Sequence, residues 1–234
     1  MSAFKKVMNR EITGWRVWDA AWLFTALYAV CVCSVIAGEN DWISLTAALT
    51  GAACVVLTGK GVRFSFLIGL VNSLLYAYIA WKARYYGEVM LNLIYYVPMG
   101  AVGWFAWKKH MNDETGEVVK ERLNLKKSAL VYAATAAGIF LYGLLLRALG
   151  GSLPFTDSMS TVISVVAQIL SIRRLAEQWV LWIVVDAVTV VMWAVALAKG
   201  EAGAAAMLAM WSVYLLNAVI MFIRWYREAK SREV

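Results

Sequence analysis

Charge is scarce in this chain. Charged residues fill 16% of its 234 positions, where a soluble globular domain carries about 25%. Hydrophobic residues fill 62%. That leaves almost no length for an appended soluble domain, enzymatic or otherwise. Cysteine is scarce too. Cys31, Cys33 and Cys54 all lie inside apolar stretches, with no histidine or carboxylate at ligand spacing. They read as small buried hydrophobes, and no metal or other cofactor is expected. The one histidine, His110, falls in a basic loop and reads as a solvated surface side chain. No Walker motif and no nucleophile–base pair appears, so no enzyme is expected. Nor does a ladder of carboxylates cross the apolar stretches, which leaves a proton relay without support.

What the chain has is apolar length. Eight stretches stand out: Trp18–Ala37, Trp42–Thr58, Phe64–Trp81, Tyr86–Trp107, Ser128–Leu149, Met159–Ile172, Trp179–Ala198 and Ala202–Trp225. All but Met159–Ile172, which is shorter, are close to the roughly 20 residues that span a bilayer as a helix. The first follows Lys5 and Lys6 but is too long for a signal-peptide core, so it reads as a retained helix. Of the 22 basic residues, all but Lys82, Arg84, Arg147 and Lys199 fall in the N-terminal tail, in every second loop after it and at the C-terminal end. Positive loops resist translocation. The expectation is an all-α integral protein of the bacterial inner membrane, with eight transmembrane helices and both termini cytoplasmic. The net positive charge marks topology, not nucleic-acid binding. Tryptophans at stretch ends (Trp18, Trp42, Trp81, Trp104, Trp107, Trp225) fit interfacial belts.

Hydropathy also suggests an internal repeat. GVRFSFLIGLVNSLLYAYIAW at 61–81 and LAEQWVLWIVVDAVTVVMWAV at 175–195 align with Asn72 against Asp186. Each follows an apolar helix and a short basic turn. Helices 2–4 and 6–8 then form two parallel three-helix repeats, joined by helix 5, an arrangement found among transporters. The domain reading is one membrane domain, 1–234: an extra N-terminal helix in 1–38, a first repeat in 42–107, the linker helix in 128–149 and a second repeat in 157–226.

Polar residues at membrane depth are few, and each must find a partner or face an interior. The seventh stretch places Trp179, Trp182, Asp186 and Trp193 on one helical face. Indoles hold flat or cationic rings, and a carboxylate can bond hydroxyls or offset a positive charge. Asp186 could instead serve a neighbouring helix, for example through Gln168. The fourth stretch carries Glu88, Asn92, Tyr95 and Met99 on one stripe, with Tyr96 beside them and Pro98 in mid-helix, where it frees a carbonyl and bends the chain. Asn72 and Tyr76 are one turn apart in the third stretch. Trp211, Tyr214 and Asn217 follow at three-residue steps in the eighth. Together these residues outline a polar, aromatic-lined cavity. Interhelical hydrogen bonding is the plainer reading for each amide.

The stretches RFSFLIGLVNSLLYAYIAW, YYGEVMLNLIYYVPMGAVGWFAW and PFTDSMSTVISVVAQILSIRRLAEQWVLW followed by IVVDAVTVV resemble the PnuC family of vitamin B3 precursor transporters. The match covers about residues 42–225. Trp179-Val-Leu-Trp182 corresponds to the family's W-x-x-W signature, and Asn217 fits a family asparagine on the last helix. The resemblance implies a SWEET-like bundle, facilitated diffusion of nicotinamide riboside, capture by a cytoplasmic kinase, and a homotrimer. The implied binding residues are Trp182, Asp186, Trp179, Asn72, Asn92, Tyr95, Tyr96, Asn217, Tyr214, Glu88 and Gln168. Many members have Asn where this chain has Asp186. Relatives in the wider family carry thiamine, riboflavin or deoxynucleosides. A structural membrane subunit without transport is the remaining alternative.

Overall fold

The computed structural model describes residues 14–38, 41–82, 86–150 and 154–232. The basic tail before residue 14 and the loop tip at 83–85 lie outside the described residues. Within them, eight helices are long and apolar enough to cross a membrane. They are α1 (Val17–Ile36), α2 (Trp42–Lys60), α3 (Ser65–Lys82), α4 (in three segments, Tyr86–Met90, Leu91–Tyr96 and Val97–Lys108), α5 (Leu125–Ala148), α6 (Pro154–Ile172), α7 (Gln178–Ala198) and α8 (Ala204–Lys230). All eight expected stretches are present. The largest differences are at three ends. α6 begins at Pro154, since proline suits a first helical turn and Asp157 complements the dipole there. α5 begins at Leu125 because Asn124 caps it, its side chain accepting from Lys127 N at 2.9 Å. α8 runs on to Lys230, with Arg227 and Lys230 in its last turn, where cations suit the helix end.

α4 departs from regular geometry. Leu91–Tyr96 is a π-helical turn, and Val97 N donates to Asn92 O, five residues back. Pro98 follows at the start of the next segment. Proline cannot donate to the preceding turn, and the widened turn accommodates that loss. At the expected kink the structure shows a change of hydrogen-bond register.

The chain divides into two compact units. The first holds residues 1–119 and 186–217; the second holds 120–185 and 218–234. In the first, α2 packs against both α1 and α3. Its core is built of small residues: Ala47, Ala48 and Ala52 of α2, Ala26 of α1, and Ala206 and Ala209 of α8 are all buried. Small side chains let helix backbones approach closely in lipid, where no hydrophobic force draws helices together. Lys60, 2% exposed, closes the α2 end of this unit. Its ammonium donates to Asp19 of α1 and to Glu117 of the loop between α4 and α5, both at 2.7 Å, and to Gly14 O at 3.0 Å. Here α1 is bolted in through charge, not laid on as a loose addition.

In the second unit α5 packs on α6. Ser158 donates to Ile139 O at 2.6 Å. Gly143 lies against the Phe155 ring so closely that a Cβ would overlap it. Glu177 accepts from Leu123 N at 3.0 Å and from Ser128 at 3.2 Å, fixing the loop before α5.

Several tryptophans differ from the belt expectation. Trp18, Trp42 and Trp81 are exposed, as an interfacial side chain should be. Trp107 and Trp225 are fully buried. Trp107 packs edge-on with Phe66, and Trp225 edge-on with Trp179. Trp104 lies under the Arg63 guanidinium, 4.3 Å from centroid to carbon. These three fasten helix ends to each other. Cys33 is exposed and not buried, because it sits on the outward face of α1.

Candidate functional site

The first unit gathers polar and aromatic side chains from five helices. Tyr214 of α8 lies within electrostatic reach of Cys54 (α2), Tyr76 (α3), Tyr96 (α4) and Asp186 (α7). Its ring meets the Trp211 ring at 4.9 Å and 54°. Asn72, one turn before Tyr76, donates to Ala47 O at 2.8 Å.

Gly51 lets this cluster exist. A Cβ there would collide with the Tyr214 hydroxyl, and would stand 2.7 Å from Met210 Sδ and 2.9 Å from Asn72 Nδ2. Real Cβ contacts do not come so close. Any larger residue at this point between α2, α3 and α8 would push these side-chain ends aside.

Asp186 is the chemically exposed member, though 2% accessible. Its Oδ1 is buried without a hydrogen-bond partner, and so are the indole nitrogens of Trp193 and Trp211 in the same unit. Buried polar groups in native proteins are nearly always satisfied. The first unit thus holds a buried acceptor and two buried indole donors without partners.

Not every candidate belongs to this cluster. Asn217 is fully buried, but its amide is engaged at both ends. Trp22 Nε1 donates to its oxygen at 3.1 Å, and its nitrogen donates to Val55 O at 2.9 Å. It ties α8 to α1 and α2. Asn92 donates back to Glu88 O at 2.9 Å within its own helix. Tyr95 packs on Tyr96 at 5.6 Å, and it is Tyr96 that reaches toward Tyr214. The π turn explains the choice. In a widened turn the residue four after Asn92 keeps its face, so the stripe passes to Tyr96. Trp179, Trp182 and Gln168 lie in the second unit, where Trp179 packs against Trp225 at 5.6 Å and Trp182 and Gln168 are half-buried. Trp182 stands four residues before Asp186 along α7.

Gly51 and Cys54 are not among the cavity residues drawn from sequence; Tyr76, Trp193 and Trp211 are, but not among the implied binding residues. Trp193 and Tyr76 carried a signal, since they share helical faces with Asp186 and Asn72. Gly51 carried a faint one, in the run of small residues Ala47-Ala48-x-x-Gly51-Ala52. Cys54 carried none.

Comparison with known proteins agrees on one family. The model of the family described as "Nicotinamide mononucleotide transporter" matches residues 41–227. A nicotinamide riboside transporter PnuC of Neisseria mucosa is 41% identical over 227 residues, covering 95% of this chain and 86% of that protein. One from Haemophilus influenzae is 31% identical over 233 residues, covering 98% and 99%. A crystal structure of the vitamin B3 transporter PnuC superposes with a TM-score of 0.85 at 39% identity, covering 99% of both chains.

Proposed function

Because the chain belongs to the nicotinamide mononucleotide transporter (PnuC) family, and is therefore a multi-pass membrane transporter, we propose that it carries nicotinamide riboside into the cytoplasm by uncoupled facilitated diffusion. One observation supports the reading: a buried carboxylate with an unpartnered oxygen, within electrostatic reach of Tyr214, which Tyr76 and Tyr96 also approach. Nicotinamide riboside offers a flat cationic ring, a carboxamide and a sugar with several hydroxyls. The ring suits Tyr214, Tyr96 and Tyr76 by stacking and cation–π attraction. Asp186 offsets its charge, and Asn72 serves the sugar or the carboxamide.

The phosphorylated form fits less well. A phosphate needs a basic partner. α7 contains no Lys or Arg, and those of α2, α3, α4 and α8 stand near helix ends. The riboside is the better cargo on that ground.

Other candidates take lesser parts. Trp182 is proposed as a ring-stacking residue on its spacing from Asp186 and on the W-x-x-W correspondence, Trp179 on that same correspondence, and Gln168 as an amide of α6 at membrane depth. Glu88, Asn92 and Tyr95 are proposed as weaker contacts along α4. Asn217 is proposed to hold α8 in place for Tyr214. The wider proposal also includes cytoplasmic termini, two parallel three-helix repeats, a homotrimer, trapping of the cargo by intracellular phosphorylation, and no enzymatic activity of the chain itself. A negative interior favours entry of a cation by about 2.3 kcal/mol per 100 mV for a full crossing.

Uptake of labelled nicotinamide riboside into proteoliposomes tests this. Uptake should persist when Na⁺ and pH gradients are collapsed at fixed membrane potential; its loss would rule out the uncoupled mechanism. Thiamine is also a flat cation that Asp186 would suit. Titration with both ligands decides, and tighter thiamine binding would reassign the cargo.

A further inference from the structure

We propose that Asp186 is a specificity-determining residue that makes the site select a cationic ring over an uncharged ring of the same shape; this rests on the nicotinamide riboside reading above. Asp186 is 2% exposed and its Oδ1 has no hydrogen-bond partner. The groups that reach Tyr214 beside it are a thiol and two phenols, from α2, α3 and α4. None brings a positive charge. The nearest basic residues along the chain are Arg174, twelve positions before it on the loop ahead of α7, and Lys199, thirteen after it. α3 has only Lys82 in its last turn, and α4 only Lys108.

A buried carboxylate without a counter-charge is costly, and a cation placed against it recovers much of that cost. A neutral ring of equal shape gains the same stacking and leaves the carboxylate uncompensated. Selection by charge therefore follows even where shape and hydrogen bonding are identical. The unpartnered indole nitrogens of Trp193 and Trp211 add donors in the same unit. They suit a ligand acceptor such as a carboxamide oxygen, which both forms of the ring carry, so they do not discriminate. The discrimination lies on Asp186.

Nicotinamide riboside and its dihydro form are the probes. They share sugar and carboxamide, and differ in that the pyridinium is positive and the dihydropyridine is neutral. Binding of each to the full-length protein in nanodiscs is measured by titration for wild type, Asp186→Asn and Asp186→Glu. Wild type should prefer the cation by at least about tenfold, the scale of a charged hydrogen bond. Asp186→Asn, equal in shape, should bring the ratio to within about threefold, and Asp186→Glu should keep a preference for the cation. A wild-type ratio near one overturns the proposal without any mutant. So does an unchanged ratio in Asp186→Asn. If wild type binds neither form, the function proposed above fails, and this inference with it; binding of the cation with an unchanged ratio fails the inference alone.

Discussion

Two corners of this molecule solve one backbone problem with opposite side chains. At the end of α2 the chain turns through Gly61, with φ of 90°, and Val62 N donates back to Leu57 O at 2.9 Å. At the end of α6 it turns through Arg174, with φ of 63°, and Leu175 N donates back to Leu170 O at 3.0 Å. Each corner carbonyl then accepts from the loop between α4 and α5. Val118 N reaches Gly61 O and Glu121 N reaches Arg174 O, both at 2.9 Å. Five residues after each left-handed residue an aromatic side chain packs edge-on against a buried tryptophan. Phe66 meets Trp107 at 4.9 Å and 80°, and Trp179 meets Trp225 at 5.6 Å and 82°.

The difference lies in charge. The first corner uses glycine for the left-handed turn and places buried Lys60 just before it, held by Asp19 and Glu117. The second puts a side chain into the strained conformation, but that side chain is an arginine paired with Glu121. Strain and pairing thus offset each other at one corner, and neither is present at Gly61. The same backbone motif can rest on conformational freedom or on an ion pair.

The comparison breaks hardest at Lys60. Lys60→Met removes the ammonium shared by buried Asp19 and part-buried Glu117 and should lower stability by about 3–5 kcal/mol. Arg173, the residue just before the other corner, is exposed; Arg173→Met should change almost nothing. Thermal denaturation in detergent measures both, and equal losses would show that the two corners do not differ as described.

Gly61→Ala comes next. A Cβ in the left-handed region costs about 1–2 kcal/mol, and the melting temperature should fall accordingly. Arg174→Gly should do less. It relieves strain of about 1 kcal/mol but removes the Glu121 pair, so the net change stays within about 1 kcal/mol. With Glu121→Ala as background the pair is already gone, and Arg174→Gly should then be stabilising.

The smallest effect belongs to the other end of α2. Asp41 caps that end, accepting from Ile43 N at 3.1 Å and from the Ser44 hydroxyl. The Ser44 hydrogen bond holds its carboxyl below the ordinary value. A lowered carboxylate value contributes stability above the unfolded value, about 3.9, and loses it as pH falls through the folded one. Wild type should therefore lose slightly more stability than Asp41→Asn on acidification below about pH 4.

Most of the helical frame was legible because each span is a long apolar run between basic or glycine-bearing turns. Asp186 was legible for the same reason, as the single carboxylate in α7. The corner roles of Trp107 and Trp225 were not, since an indole at a helix end looks alike whether it faces headgroups or a neighbouring ring. Pro98 announced a break in α4, but not the π turn that hands the stripe from Tyr95 to Tyr96. That shift depends on one hydrogen bond, Val97 N to Asn92 O, which no periodicity reveals. Asn217 pointed to buried polarity without saying whether its partners were ligand or protein. Its hydrogen bonds with Trp22 and Val55 join helices far apart in the chain, so no local pattern announces them.

Equilibrium binding of nicotinamide riboside to purified wild type and Tyr214→Ala tests most directly whether the cluster around Asp186 is the substrate site. Tyr214→Ala removes the ring that the other four helices surround, and leaves both corners untouched. Affinity should fall at least about tenfold, the loss expected when a stacked aromatic contact to a cation is removed, while the protein remains folded by circular dichroism. Unchanged affinity in the folded variant would contradict the assignment of the site.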